Sequence, residues 1–401
     1  MKSGAQARQG DVCKLAVLVL SALAMAGAAP GQAGPSAGAL FADGRFADAA
    51  AAYEKLLVST PDDAVALAGL ARIRLYEGRE AEAETLAQRA LVASPQDPVA
   101  AQVMRAARMR LADVGGDSFR IQAPPGESAI DFVATDPLPM VEVTLGGSRH
   151  ALFLIDTGAP DIVVSPDLAQ ELGLAVTDAG QGIFAGGRRA AVQRTVVPEL
   201  RLGPVTVSNA SAGVMRTGGL PTSRKIEGII GTGFLRHFLS TLDYCRGRLV
   251  LAPRDASAAF ERQAQASGAN VTPMWFVGDH FAFVRGRLNQ GRESLFLVDT
   301  GLAGGGLVAT KPALDDAGVK IDERNVLTGM GGGGAATFIP FRADATLGEL
   351  TVKDVPGVYM PAQPDIFPFR SAGALSHAFF RHSRLTFDFE AMKLVTRACP
   401  V

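Results

Sequence analysis

Aromatic residues are scarce in this chain, at 6% of 401 residues, whereas glycine occurs 45 times. Many glycines and few large rings indicate many tight turns, which favours a β-rich architecture over a helical bundle. Neither charge sign is in excess, because 39 basic and 40 acidic residues leave a formal net charge of −1. This balance argues against nucleic acid as a partner, and a hydrophobic content of 48% argues against disorder.

The motifs of several hydrolase classes are missing as well. The five histidines lack zinc-ligand spacing, and neither a His-Glu-x-x-His helix nor a Gly-x-Ser-x-Gly turn occurs. The glycine-rich run at 329–334 is not followed by Lys-Ser or Lys-Thr, which argues against a phosphate-binding loop. We therefore expect neither a metal nor a cofactor.

The N-terminus has the layout of a secretory signal peptide. Three basic residues precede an apolar run at 15–25, and small residues follow it. Cleavage after Ala28 or Ala33 would remove this segment, so residues 1–28 are predicted as the signal and the protein as periplasmic or secreted. The alternative is an uncleaved N-terminal helix that anchors the chain, although the apolar run is short for a membrane span. No later stretch is suited to span a bilayer, so we expect no stable span after signal removal.

Cysteine is rare, with three residues in the whole chain. Cys13 would leave with the signal peptide, so Cys245 and Cys399 would remain in the mature protein. An even count in an oxidising compartment is compatible with a disulfide. Two unrelated buried thiols are an equally good interpretation of the sequence alone.

A first internal repeat has a period of 34 residues (78 − 44). The segment GRFADA at 44–49 recurs as GREAEA at 78–83, and Pro61 recurs as Pro95. This period and these residues resemble the tetratricopeptide repeat, so residues 37–112 are predicted to form about one and a half such repeats and a closing helix. Such a region either binds a protein partner or packs onto the neighbouring domain.

A second repeat covers the rest of the chain. FLIDTG at 153–158 returns as FLVDTG at 296–301, at an offset of 143 residues (299 − 156). After two extra residues in the glycine-rich stretch behind Gly301, the offset settles at 145 (386 − 241). It then holds to the C-terminus, where TLDY at 241–244 matches TFDF at 386–389. This constant register predicts two homologous lobes.

The duplication sets the predicted domain boundaries. A polar stretch with several Gly and Pro residues at 113–127 is interpreted as a linker. The lobes follow at 128–254 and 269–401, joined by a connection at 255–268. Short apolar runs separated by turn signals predict mainly antiparallel β structure in both lobes, with one short helix after each Asp-Thr-Gly.

Asp156 and Asp299 are the candidate catalytic residues. Each follows a four-residue apolar strand at equivalent positions of the duplication, so the lobes can bring the two carboxyl groups together. Two carboxylates in one site cannot both ionise cheaply, so one keeps its proton. The charged one can take a proton from a bound water while the other donates to a peptide carbonyl. This pair predicts peptide hydrolysis without a metal or a covalent intermediate.

The residues after each aspartate have a predicted supporting role. The hydroxyl groups of Thr157 and Thr300 can join the two loops by hydrogen bonds. Gly158 and Gly301 let backbone amides approach the carboxyl groups closely, because a glycine carries no Cβ.

Residues 128–401 resemble the aspartic peptidases of the pepsin and retropepsin superfamily, in their two-lobed bacterial form. The resemblance implies a bilobal, mainly β fold and an exported endopeptidase that acts on a peptide or protein substrate. The chain contains both aspartates, so a monomer is sufficient. The predicted linker is itself a candidate substrate, and its cleavage would release the helical repeats.

In this family two apolar residues and a glycine support each catalytic loop. Ile229-Ile230-Gly231 matches this pattern in the first lobe, whereas Ala374-Leu375-Ser376 stands in the second. Ser376 adds bulk where close packing is expected. This departure favours an alternative function, a catalytically silent module that binds a peptide or protein through the interlobe cleft and the repeats.

The resemblance also indicates which segments cover the substrate and at which pH the pair works. Glycine-rich segments at 182–187 and 329–334 occupy the place of the family's flap and its counterpart. Ala159 and Leu302 replace a hydroxyl residue common in pepsin-like enzymes, so the pair should titrate higher and act at mildly acidic to near-neutral pH. The candidate flap residues are Phe184, Gly186, Gly187, Gly331 and Gly332.

Overall fold

Five helices open the described part of the chain. The computed structural model describes residues 35–114, 120–183, 189–217, 223–331, 334–361 and 366–400. The predicted signal peptide at 1–28 lies outside these residues. The five helices are α1 (Ala37–Ala42), α2 (Phe46–Ser59), α3 (Ala64–Tyr76), α4 (Glu80–Ala93) and α5 (Pro98–Val114).

The 34-residue period appears in the structure as two equivalent helix turns. Gly44 and Gly78 separate α1 from α2 and α3 from α4, and both have a positive φ, +71° and +70°, which favours glycine. Close helix packing also requires small residues. A Cβ on Gly69 of α3 would stand 2.4 Å from the ring of Tyr53 in α2. The helical region predicted from the repeat is therefore confirmed.

The first lobe is a twisted β structure with two short helices. Eight of its strands form one sheet, in the order β1-β8-β5-β9-β4-β3-β7-β6. The elements are β1 (Arg120–Gln122), β2 (Ser128–Asp131), β3 (Met140–Leu145), β4 (Arg149–Asp156), β5 (Ile162–Val164), α6 (Pro166–Glu171), β6 (Thr177–Ile183), β7 (Arg189–Leu202), β8 (Val205–Val214), β9 (Gly228–Gly231), α7 (Thr232–Leu235), β10 (Phe238–Asp243) and β11 (Arg248–Pro253).

A 3-10 turn and a helix occupy the segment predicted as the interlobe connection. The second lobe then repeats the elements of the first. These elements are the 3-10 turn (Arg254–Ala256), α8 (Ser257–Ala266), β12 (Asn270–Val277), β13 (Phe281–Leu288), β14 (Ser294–Asp299), β15 (Leu307–Ala309), α9 (Lys311–Asp316), β16 (Leu327–Gly331), β17 (Gly334–Leu347), β18 (Leu350–Tyr359), β19 (Gly373–Ser376), α10 (His377–Phe380), β20 (Ser383–Asp388) and β21 (Lys393–Ala398).

The strand pairings confirm the bilobal duplication. In the first lobe β4 runs parallel to β9, which also pairs antiparallel with β5, and β5 runs parallel to β8. In the second lobe β14, β19, β15 and β18 repeat this arrangement strand for strand. As a result, Asp156 lies opposite Gly231 and Asp299 lies opposite Ser376.

One sheet passes from lobe to lobe. Its 13 strands run β16-β17-β18-β15-β19-β14-β13-β12-β21-β20-β10-β11-β2, and the lobes meet where β20 pairs antiparallel with β10. Thr241 stands opposite Thr386, and their hydroxyl oxygens are 2.7 Å apart. These are equivalent residues of the duplication, so an approximate twofold axis passes between them.

The helices share a hydrophobic core with the second lobe. The ring of Phe46 in α2 lies 5.7 Å from Trp275 and 5.0 Å from Phe369, measured between centroids, and Tyr76 of α3 also contacts Phe369. Phe283 of β13 is fully buried in the same cluster. Fully burying a large apolar side chain contributes about 1.5–3 kcal/mol. The repeat region therefore packs onto its neighbour, one of the two roles considered for it.

Part of the segment interpreted as a linker is ordered. Helix α5 continues to Val114, and β1 pairs antiparallel with the edge strand β8, with Ile121 opposite Val207. A three-residue strand of this kind satisfies backbone groups at a sheet edge even where the sequence carries no strand pattern. Residues 115–119 lie outside the described part.

One disulfide joins the two lobes. Cys245 and Cys399 form it with a Cα–Cα distance of 5.3 Å, and it ties the turn after β10 to the segment after β21.

Within the described residues, every helix is too short or too polar to cross a membrane.

Candidate active site

Asp156 and Asp299 end two equivalent strands and meet at the junction of the lobes. The two carboxyl groups lie close enough for each to affect the pKa of the other. Each carboxyl group also lies directly over the glycine of the opposite loop. A Cβ on Gly158 would stand 2.5 Å from Cγ of Asp299, and a Cβ on Gly301 would stand 2.2 Å from Cγ of Asp156. Only glycine permits this approach.

Each carboxyl group also receives a backbone hydrogen bond from its own loop. The amide of Gly158 donates to Oδ1 of Asp156 at 2.8 Å, and the amide of Gly301 donates to Oδ1 of Asp299 at 3.0 Å. These bonds orient the carboxyl planes and favour the charged form of each group.

The threonines of the two motifs join the loops to each other. Oγ1 of Thr300 accepts from the amide of Thr157 and donates to the carbonyl of Ile155. Oγ1 of Thr157 accepts from the amide of Thr300 and donates to the carbonyl of Val298. Both threonines are fully buried, so all four bonds are shielded from water. The arrangement fixes the spacing of the two carboxyl groups.

Burial raises the pKa of both carboxyl groups, but unequally. For Asp299, burial and the neighbouring Asp156 charge hold the pKa well above the usual value. For Asp156, burial raises the pKa, while the amide of Gly158, the hydrogen bond with Asp299, the charge of His280 and the amide of Ala159 all act against that rise. The environment therefore favours a protonated Asp299 beside an ionised Asp156.

Ile229, Ile230 and Gly231 form β9 against the loop that carries Asp156. The amide of Gly231 donates to the carbonyl of Asp161, and a Cβ on Gly231 would stand 2.5 Å from the carbonyl oxygens of Ala159 and Asp161. Any residue larger than glycine at position 231 would therefore collide with these two oxygens. Thr232 adds a bond that the sequence did not reveal, since its Oγ1 donates to the carbonyl of Thr157 at 2.9 Å.

Ala374, Leu375 and Ser376 occupy the equivalent strand β19, and there the serine fits. Its hydroxyl donates to the carbonyl of Gly305 and accepts from the amide of Ala378 at 3.1 Å, which caps α10. The amide of Ser376 donates to the carbonyl of Gly306, as the amide of Gly231 donates to the equivalent residue Asp161 in the first lobe. The expected steric conflict is therefore absent, and the feature that favoured a silent module is explained by local packing.

Family models match both parts of this architecture. A model described as aspartyl protease matches residues 141–234, and a tetratricopeptide repeat model matches residues 40–107. The sequence is therefore similar to an aspartyl protease domain that follows tetratricopeptide repeats. The match to the aspartyl protease model includes Asp156, its Thr-Gly and the strand that supports them.

Solved structures similar to this chain include a plant seed protein. The chain resembles conglutin gamma, described as a unique basic 7S globulin from lupine seeds, with 10% sequence identity and a TM-score of 0.40. The similarity covers 68% of this chain and 95% of conglutin gamma. No curated protein matches the chain in sequence.

The candidate flap residues lie largely outside the described part of the chain. Phe184, Gly186, Gly187 and Gly332 fall outside the described residues. Gly331 closes the hairpin of β16 and β17, where it pairs with Gly334, and β6 and β7 form the equivalent hairpin in the first lobe. The assignment of these residues to a flap remains a prediction.

The described ranges contain no candidate metal site. No group of three or more His, Cys, Asp or Glu residues there could hold a metal ion. A residue that the sequence did not reveal is His280, which opposes the effect of burial on the pKa of Asp156. The duplication gives no signal for it, because the equivalent residue at an offset of 143 (280 − 137) is Pro137.

Proposed function

We propose that this protein is an exported aspartic endopeptidase in which Asp156 and Asp299 activate a water molecule for attack on a peptide bond. The observation that carries the proposal is the face-to-face placement of the two carboxyl groups, each over the glycine of the other loop. The aspartyl protease family match is a second support.

The unequal environments of the two carboxyl groups support a different role for each. Asp156, which receives amide hydrogen bonds and the charge of His280, is the base that accepts a proton from water. Asp299, whose pKa is held well above the usual value, is the acid that donates its proton to the carbonyl oxygen. The water oxygen then bonds to the carbonyl carbon and gives a neutral diol.

Collapse of the diol completes the reaction. Asp156 passes its proton to the amide nitrogen, the C–N bond breaks, and a diol hydroxyl returns a proton to Asp299. Both carboxyl groups regain their initial protonation states at the end of the cycle. The proposed reaction uses neither a metal nor a covalent bond between enzyme and substrate. Thr157 and Thr300 hold the two groups at constant spacing throughout.

Substitution of either aspartate tests the proposal. The purified protein, incubated with mixed peptides between about pH 4 and pH 8, should cleave them, and a statin-type inhibitor such as pepstatin should block cleavage. Asp156→Asn and Asp299→Asn should each abolish cleavage while the far-UV circular dichroism stays unchanged. Asp315→Asn is the matched control, because that exposed carboxylate of α9 pairs only locally with Lys311.

The proposal would be overturned if the wild-type protein bound peptides but cleaved none of them across this pH range. That result would favour the silent binding module. Cleavage that persists in Asp156→Asn would equally overturn the proposal, because it would place the chemistry elsewhere.

Export is part of the same proposal. The disulfide between Cys245 and Cys399 supports it, because disulfides persist in oxidising compartments. In fractionated cells the mature protein should appear outside the cytoplasm and begin at Ala29 or Gly34, as intact mass spectrometry would show. A full-length mass in the membrane fraction would instead indicate the uncleaved anchor.

A further inference from the structure

Asp161 lies at the same end of the first lobe's sheet as Asp156. Strand β9 runs between them, because Gly231 stands opposite Asp156 in the pairing of β4 with β9, and its amide donates to the carbonyl of Asp161 at 3.1 Å. Neighbouring strands are about 4.8 Å apart, so the two aspartate backbones are about 10 Å apart. Asp161 is therefore a further carboxylate at the edge of the candidate active site.

The side chain of Asp161 stands on the face of the sheet that both catalytic loops reach. Val163 of β5 contributes to an apolar cluster on that face, and side chains two residues apart in extended backbone point to the same side. The cluster also contains Ala159 of the first catalytic loop, and Ala303 of the second loop packs against it. A substrate bound between the two carboxyl groups would therefore lie against this face.

Asp161 holds an arginine of strand β7 in place. Nη2 of Arg194 donates to Oδ2 of Asp161 at 2.8 Å and to Oγ of Ser211 in β8 at 2.9 Å. The other carboxylate oxygen of Asp161 is turned to α7, where a Cβ on Gly233 would stand 2.4 Å from Oδ1. Within the described ranges, Nε and Nη1 of Arg194 have no hydrogen-bond partner, so their N–H groups can bind a further acceptor.

The ion pair between Arg194 and Asp161 is accessible to a ligand. The exposed fraction of the side chain is 41% for Arg194 and 38% for Asp161. A guanidinium that one carboxylate orients from one side is suited to bind a second carboxylate from the other, because its N–H groups form a planar fork. An extended peptide advances about 3.3 Å per residue, so the distance from Asp156 corresponds to about three residues of substrate.

The second lobe carries neither charge at the equivalent positions. Gly306 takes the place of Asp161, because its carbonyl accepts the equivalent hydrogen bond, from the amide of Ser376. Pro340 takes the place of Arg194 in the pairing of β17 with β18. The substrate residues on the two sides of the scissile bond therefore meet different side chains.

We propose that Arg194, oriented by Asp161, is a specificity-determining residue that binds an acidic side chain of the substrate, about two or three residues from the scissile bond. The inference rests on the peptidase function proposed above and adds a substrate class to it. The preferred substrates are peptides with a glutamate or aspartate on the side of the scissile bond that lies against the first lobe. The other side of the scissile bond carries no such preference.

Matched peptides test the proposal with the full chain. Each pair differs by Glu or Gln at a single position, and successive pairs cover the positions on either side of the scissile bond. At one position the wild-type protein should cleave the Glu peptide with a kcat/KM about tenfold above that of the Gln peptide, because a hydrogen bond between charged groups is lost in the Gln peptide. The same exchange on the opposite side of the bond should change kcat/KM by less than about twofold.

Arg194→Gln should remove this preference. The KM for the Glu peptide should rise about tenfold while kcat stays near its wild-type value, since the lost contact lies away from the reacting atoms. Cleavage of the Gln peptide should stay within about twofold of wild type, which a general loss of structure would not allow. Arg194→Lys keeps the charge without the planar fork and should retain part of the preference, which covers the case that Arg194→Gln does not fold.

Arg201→Gln is the matched control. Arg201 lies on the same strand, its side chain is 44% exposed, and it also faces a carboxylate, that of Glu199 at 3.8 Å. Its substitution removes the same charge from the surface and should leave the ratio of Glu to Gln cleavage unchanged. An equal change in Arg201→Gln and Arg194→Gln would mean that net charge, and not the site, sets the preference.

Peptide binding separates this proposal from the proposed function. In the Asp299→Asn background, fluorescence anisotropy of the labelled peptides should show the Glu peptide bound about tenfold more tightly, and Arg194→Gln should abolish the difference. Equal affinity for both peptides, or a preference that survives Arg194→Gln, would overturn the role of Arg194. A wild-type protein that binds these peptides with the expected preference but cleaves none would refute the proposed function alone, and one that neither binds nor cleaves them would contradict both.

Discussion

Thr157 and Thr300 each accept a hydrogen bond from the backbone amide of the other, at 3.0 Å in both directions. The two bonds cross the junction of the lobes and connect loops 143 residues apart in the chain. The hydroxyl group of Thr300 also donates to the carbonyl of Ile155, and that of Thr157 donates to the carbonyl of Val298. Each hydroxyl group is therefore both a donor and an acceptor. The spacing of the aspartates therefore depends on both side chains.

Thr157→Val should destabilise the fold by about 1–3 kcal/mol, because valine keeps the shape but leaves the Thr300 amide and the Val298 carbonyl unsatisfied. Urea unfolding would measure the loss, and Thr300→Val should show a similar one. The double variant should lose less than the sum, since the four bonds form one network. Thr351→Val, whose hydroxyl contacts Thr346 at the surface, should change stability by less than about 0.5 kcal/mol.

Gly158→Ala and Gly301→Ala should separate the two carboxyl groups. The added Cβ would stand 2.5 Å or less from the opposite carboxyl carbon, so one loop must move. A displacement of about 1 Å at a reacting group costs about 100-fold in rate, and peptide cleavage should fall at least that far. Gly213→Ala is the control, because its Cβ would meet only Val163 at 3.6 Å. Near-normal cleavage by Gly158→Ala would contradict the close approach.

The substitutions Ser376→Gly and Gly231→Ser should have very different effects on stability and activity. Ser376→Gly removes a helix cap and should cost only a few tenths of a kcal/mol, with activity within about threefold of wild type. Gly231→Ser should prevent folding or activity, because its Cβ would stand 2.5 Å from two carbonyl oxygens. Thermal melting and cleavage assays would compare the two. A tenfold gain in activity for Ser376→Gly would mean that the serine impairs the site after all.

The raised pKa of Asp299 predicts how stability depends on pH. The folded protein keeps a proton on Asp299 that the unfolded chain releases, so stability falls as pH rises above the usual carboxyl pKa towards the folded value. Asp299→Asn removes this loss. Its melting temperature should exceed that of wild type by about 2 °C or more at neutral pH, with a smaller difference near pH 4. A difference that stays constant over this pH range would contradict the assignment.

The duplication made much of this arrangement predictable from the sequence. Equal offsets placed Asp156 and Asp299 at the ends of equivalent strands, and the Thr-Gly pairs followed from the same alignment. Whether Cys245 and Cys399 pair could not be decided, because two thiols 154 residues apart approach only through the folded sheet. The fit of Ser376 was also missed. Its hydroxyl fits because the carbonyl of Gly305 and the amide of Ala378 lie within hydrogen-bonding distance, which depends on the folded backbone.

The sequence could not show which residues join the helices to the second lobe, and the reason is different. Trp275 and Phe283 follow an ordinary strand pattern, and nothing in that pattern says whether a strand face is covered by its own lobe or by another domain. Arg110 likewise has the appearance of a surface helix residue until its three carbonyl partners are known. Long-range packing of this kind overrides local pattern.

The aromatic core between the helices and the second lobe has a practical consequence for protein production. A chain shortened to begin at residue 120, at the start of β1, would leave Trp275 and Phe369 facing water without their partners Phe46 and Tyr76. Such a fragment should aggregate on expression, and its inactivity would carry no information about the aspartates. Assays of this protein therefore need the helices in place.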